Sequence, residues 1–129
     1  MTEGCIKKRP KYLNVLQIRL PLPGKLSILH RASGVGLFLL LGPLIWLFQS
    51  SVSSPECFET FRGVVAYPLA KVVLAGLIWA FMHHFCAGIR FLLLDVHVGT
   101  ELPSARQSAV IVFGVSLVLT GVLWGVLLW

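Results

Sequence analysis

Acidic side chains are scarce in this sequence: five Asp and Glu stand among 129 residues, and all charged residues together make up 12%. A soluble domain carries about a quarter of its residues as charges, so an ordinary water-exposed surface is excluded. Cysteine is sparse as well. Cys5, Cys57 and Cys86 are scattered without a C-x-x-C spacing, which excludes an encoded iron–sulfur cluster or disulfide framework and leaves free thiols. No internal repeat, low-complexity tract, phosphate-binding glycine loop or flavin motif is present. The opening MTEGCIKKRPKYLN is basic, but no apolar stretch follows it directly, so a cleaved export peptide is not expected.

What fills the chain instead is apolar: 57% of residues are hydrophobic and the mean hydropathy is +0.86. This is the composition of an integral membrane protein with one domain. The formal net charge of +6 does not describe a nucleic-acid-binding face. Lys7, Lys8, Arg9, Lys11, Arg19, Lys25 and Arg31 all precede the first long apolar run, whereas the following polar segment holds one base, Arg62. That asymmetry predicts an N-terminus on the cytoplasmic side.

Arg9-Pro10 and Pro21-Leu-Pro23-Gly24 interrupt any continuous helix, so residues 1–24 read as a cytoplasmic arm. Helices are expected over about 26–49, 65–95 and 108–129, each containing a membrane span. Those spans, Leu29 to Phe48, Val72 to Leu94 and Ala109 to Trp129, meet the requirement of about 20 residues for a hydrocarbon core of about 30 Å. Pro43 predicts a kink in the first. Gln49 to Arg62 reads as an outer loop and Val96 to Ser108 as an inner turn. An odd number of crossings puts the C-terminus outside, with Trp46, Tyr67 and Trp129 at one interface, where amphipathic rings are favoured. Gly114, Gly121 and Gly125 mark a packing face on the third span.

The chemistry concentrates in Met82 to Asp95, MHHFCAGIRFLLLD, where ionisable residues sit in a segment otherwise fit to cross a bilayer. At about 100° per residue, Gly76, Ala80, His84, Ala87, Gly88, Phe91 and Asp95 share one stripe, and His83 points about 100° away. Small residues around one imidazole leave room for a flat ligand such as a b-type haem. The same pattern equally allows close helix packing with a histidine bonded to a neighbouring helix. At the entrance of the first span, Ser27, His30, Arg31 and Gly34 share another face, combining a hydroxyl, an imidazole, a guanidinium and a gap. It serves either a binding site or an interfacial anchor with Arg31 snorkelling to headgroups.

Two motifs, S-x-x-H-R-x-S at Ser27 to Ser33 and H-x-x-x-G-I-R-x-x-x-x-D at His84 to Asp95, follow Arg9-Pro10 in order. Together they resemble the cytochrome b large membrane-anchor subunit of succinate dehydrogenase, respiratory complex II, over essentially the whole chain. The resemblance implies an all-α membrane protein whose three transmembrane helices form part of a haem-binding bundle completed by a sister subunit. It implies that His84 is one axial ligand of a haem b whose second ligand comes from the small sister anchor subunit. It implies further that Ser27 and Arg31 line the ubiquinone site, that His30 and Arg31 approach the haem propionates, and that an iron–sulfur subunit and a flavoprotein subunit complete the complex. Leu94 stands where the family usually has an aromatic residue or methionine, and His97 where it usually has a small residue, so Asp95 receives no definite role. Phe91 replaces a frequent histidine and offers no second ligand. A fumarate reductase anchor shares this architecture, and a non-haem helical membrane protein is the alternative of a different class. The lack of an Arg- and Ser-rich presequence points to a bacterial inner membrane rather than a mitochondrial one.

Overall fold

The computed structural model describes residues 18–128, which form four helices and no strand. Lys7, Lys8, Arg9, Pro10, Lys11, Cys5 and Trp129 lie outside the described residues. Helix α1 runs over Leu22–Ser53, α2 over Pro55–Ala66, α3 over Pro68–Asp95 and α4 over Leu102–Leu128. Three of them, α1, α3 and α4, are long and apolar enough to cross a membrane. The protein is therefore an all-helical membrane protein, as its hydropathy predicts.

The starts and stops follow local chemistry. Helix α1 begins at Leu22 rather than after Gly24, because Pro23 occupies its first turn, where a missing N–H costs nothing. The Pro21 carbonyl accepts the N–H groups of Gly24 and Lys25 at 2.9 and 3.1 Å. The segment expected as the outer loop is instead helical on both sides of a single break. Ser54, with extended backbone, accepts the Cys57 N–H at 3.1 Å, Pro55 opens α2, and Glu56 faces the positive end of the helix dipole. Tyr67 precedes Pro68 and is accordingly extended, with ψ of 133°, which separates α2 from α3.

Helix α3 closes in a Schellman motif. The Val98 N–H reaches the Leu93 carbonyl and the His97 N–H the Leu94 carbonyl, both at 2.9 Å. His97 takes the left-handed position of that motif with φ of 63°, a conformation in which glycine is easiest.

Packing is organised around α3, which lies against both α1 and α4. The core is small: Leu26, Ala87, Ala109 and Val112 are its buried apolar members, joined by buried His83, Arg90 and Ser116. Most large apolar side chains, among them Phe38, Trp46, Phe81, Leu92 and Val118, face outward. In a bilayer such a surface meets lipid or other membrane helices without the penalty it would carry in water.

Candidate functional site

The candidate site lies between α1 and α3, at the end of the bundle opposite α2. His84 leaves α3 toward α1 and lies face to face with His30, ring centroids 4.2 Å apart and planes 9° from parallel. Its Nδ1 is 2.9 Å from the His30 carbonyl oxygen and 3.3 Å from Ser33 Oγ. The Ser33 hydroxyl also lies 2.9 Å from that carbonyl and donates to it. A carbonyl can only accept, so Nδ1 carries the hydrogen, and in the neutral ring Nε2 is the nitrogen with a lone pair to offer. A carbonyl-anchored imidazole with one free basic nitrogen is the form in which histidine ligates metals.

Glycine makes the approach of the two helices feasible. A Cβ at Gly34 would come within 2.8 Å of His84 Cε1, whereas one at Gly88 would make an ordinary 3.6 Å contact with His30 Nε2. The gap expected at Gly34 is thus filled by the very imidazole that the stripe on α3 singles out. Phe91, two turns beyond His84 along α3, meets the His30 ring at 5.1 Å. A cleft of about 370 Å³ adjoins the pair, lined by residues including Ser33, Gly36, Gly76 and Ala80.

His83 turns to the other side, as the helical step requires. It is fully buried against α4, 5.2 Å from the Phe113 ring and 5.3 Å from that of Trp79. Neither of its ring nitrogens, nor Trp79 Nε1, has a hydrogen-bond partner among the described residues. Arg90, also on the α4 side, is 6% exposed. It donates from Nε to Ser108 Oγ at 2.9 Å and from a terminal nitrogen to the Ala105 carbonyl at 3.1 Å. Its guanidinium stands 5.5 Å from the Phe91 ring centroid. This side chain fastens the start of α4 to the end of α3.

Ser27 is half-buried and Arg31, one turn on, is exposed, so both stand at the margin of the His30–His84 pair rather than inside it. Asp95 is exposed and enters no ion pair among the described residues. The structure therefore brings together His30, His84, Ser33 and Gly34, while Arg31 and Asp95 are exposed and form no ion pair among the described residues. Sequence reasoning passed over Ser33, although it closes the first motif, and the α4 partners of Arg90. Cys57 and Cys86 are free thiols, as their spacing implies.

Against this geometry the relatives can be placed. Residues 6–123 match the family of succinate dehydrogenase/fumarate reductase transmembrane subunits. The succinate dehydrogenase cytochrome b556 subunit of Coxiella burnetii is 33% identical over 123 residues, covering 95% of this chain and 98% of its own length. That of Paracoccus denitrificans is 32% identical over 111 residues, covering 86% and 85%. That of Rickettsia typhi is 29% identical over 117 residues, covering 91% of each. With the family matched across nearly the whole chain and three spans in place, the protein belongs to the succinate dehydrogenase/fumarate reductase transmembrane subunits, as the cytochrome b large anchor type.

Proposed function

We propose that this chain is the membrane anchor of a succinate:ubiquinone oxidoreductase, in which His84 is an axial ligand of haem b and Ser27 and Arg31 bind ubiquinone. The observation that carries the reading is the Nδ1 contact of His84 with the His30 carbonyl, 2.9 Å long, which leaves Nε2 as the free ligand atom. The small-residue side of α3 and the cleft beside it fit a flat macrocycle. When bound, the haem supplies a one-electron carrier within the bilayer. His30 and Arg31 are the basic groups near enough to its site to meet the propionates, and a carboxylate at a membrane edge favours charge-assisted donors.

A small sister anchor subunit would supply the second haem ligand and complete the bundle. A flavoprotein subunit oxidises succinate and an iron–sulfur subunit delivers electrons to quinone beside Ser27 and Arg31. The quinone carbonyl gathers negative charge as it is reduced, so a hydroxyl and a guanidinium already in place stabilise that change rather than the ground state. Direction distinguishes this enzyme from a quinol:fumarate reductase with the same anchor, and redox potentials set it. The lipid bilayer is the remaining partner, and no nucleic acid is involved. The chain resides in a bacterial inner membrane, N-terminus cytoplasmic and C-terminus periplasmic.

A purified complex should show the visible spectrum of a b-type haem. Ser27→Ala and Arg31→Leu should each slow quinone reduction by about 2–4 kcal/mol in barrier, while succinate oxidation by a dye that bypasses quinone continues. Rates are expressed per assembled complex, so unchanged quinone reduction in both variants returns these residues to an anchoring role. A reporter fused after Trp129 tests the topology: activity confined to the cytoplasm reverses the orientation.

A further inference from the structure

Ser33 and Gly34 have no part in the reading above, yet both touch the imidazole on which it depends. A methyl group at Gly34 would meet His84 Cε1 at 2.8 Å and Nδ1 at 3.3 Å. The obstructing group is a ring wedged between two helices rather than the end of a flexible chain. His30 blocks one face of it at 4.2 Å, and the His30 carbonyl holds Nδ1 at 2.9 Å. Any movement that relieves the clash therefore sacrifices the stack or the hydrogen bond. Gly36 and Gly42 on the same helix meet nothing within 4 Å, so the demand for glycine is local to position 34.

Ser33 lies 3.3 Å from Nδ1 of the same ring and acts on it more closely through a shared acceptor. Its hydroxyl donates to the His30 carbonyl at 2.9 Å, and that oxygen also receives the His84 Nδ1–H. As a carbonyl inside α1 it also accepts the helical N–H of Gly34, so its two lone pairs are shared among three donors. A carbonyl serving three donors draws less on each than one serving two. The hydroxyl thus limits how far the imidazole is polarised toward imidazolate, and with it the electron density at Nε2.

We propose that Gly34 and Ser33 are positioning residues for the haem ligand. Gly34, by lacking a Cβ, admits the His84 ring to the place where the His30 carbonyl fixes its tautomer and leaves Nε2 free. Ser33 sets how strongly that carbonyl pulls on Nδ1–H, and so tunes the iron's potential. The inference rests on His84 being the ligand, and its test separates the two claims.

Gly34→Ala, Ser33→Ala, Gly42→Ala and His84→Leu are made in the full complex, and haem per assembled complex, the visible and electron paramagnetic resonance spectra and the midpoint potential are recorded. Gly34→Ala should weaken haem affinity by about 10-fold or more or shift the low-spin spectrum, the range seen when support of a ligating histidine is lost. Alanine is the better helix former, so a weakened helix cannot produce that loss. Ser33→Ala should keep its haem and move the midpoint potential to a more negative value, because a more donating imidazole favours the ferric state. Gly42→Ala should behave as the parent. Normal haem content, spectrum and potential in Gly34→Ala overturn the role of Gly34, as does an equal loss in Gly42→Ala. An unchanged or more positive potential in Ser33→Ala overturns the role of Ser33. If Gly34→Ala fails to assemble, the double variant Gly34→Ala/His84→Ala decides: assembly restored by removing the ring supports the role of Gly34, and failure of the double variant overturns it. Haem retained in His84→Leu refutes the ligand assignment itself, an outcome distinct from either failure.

Discussion

Two adjacent histidines on one helix live in different worlds. His84 faces α1, where glycine opens a seat, a carbonyl holds one nitrogen and the other is left basic. His83 faces α4, where it is sealed between Trp79 and Phe113 with both nitrogens unmatched by any described residue. The residues are chemically identical, so position alone separates them. One interface is built to present an imidazole. The other is built to enclose one, and the cost of enclosing polar atoms falls on stability rather than on chemistry.

The strongest way to break this contrast is to remove each ring in turn. His84→Leu should eliminate the haem spectrum of the assembled complex, a loss of at least about 10-fold in haem affinity. His83→Leu should preserve it. The reverse outcome would overturn the assignment and with it the register of α3, since about 100° separates the two directions.

The α4 side holds a second polar group, Arg90, and comparison with His83 sharpens what enclosure costs. Arg90 is nearly as buried, yet it has Ser108 Oγ and the Ala105 carbonyl as acceptors. Hydrogen bonds from a charged donor are worth about 1.5–3 kcal/mol each, against which the desolvation of the cation must be set. Arg90→Ala should therefore lower the unfolding free energy of the complex by about 1–3 kcal/mol, with haem content per assembled complex unchanged. Denaturant titration of the detergent-solubilised complex measures this. Loss of haem at normal stability would show that Arg90 serves the α1 side.

How much of this was legible beforehand depends on the range over which each feature is encoded. The three spans follow from long apolar runs, and the separation of His83 from His84 follows from the helical step, so both could be read locally. The gap at Gly34 was visible as a spacing from Ser27, but that His84 would fill it depends on how α1 meets α3, some fifty residues apart in the chain. Arg90 and its α4 acceptors likewise lie 15 and 18 residues apart. Helix α2 was hidden differently: QSSVSSPECFETFR has the polarity of a loop, because an interfacial helix exposes as much polar surface as a turn does. Its signal was the Ser54-Pro55-Glu56 start, a helix N-terminus written in three residues. The end of α3 shows the opposite case, where an irregular residue, His97, marks a left-handed backbone that composition alone does not reveal.

The smallest expected effect concerns His83 itself. Replacing the imidazole by a benzyl group of similar shape removes two buried polar atoms that have no partner among the described residues. Relief of an unsatisfied buried group amounts to about 1–3 kcal/mol. The ring added is larger by one atom, however, and sits between Trp79 and Phe113, so overpacking offsets part of that gain. His83→Phe should therefore be stabilising by no more than about 1 kcal/mol, the difference of these opposing terms. His83→Ala instead leaves a cavity without restoring any packing and should destabilise by about 2 kcal/mol or more. Unfolding both variants alongside the parent distinguishes packing from polarity. Equal destabilisation by Phe and Ala would mean that the imidazole nitrogens are bonded inside the folded protein, and the two faces of α3 would then differ in the partner each histidine has rather than in whether it has one.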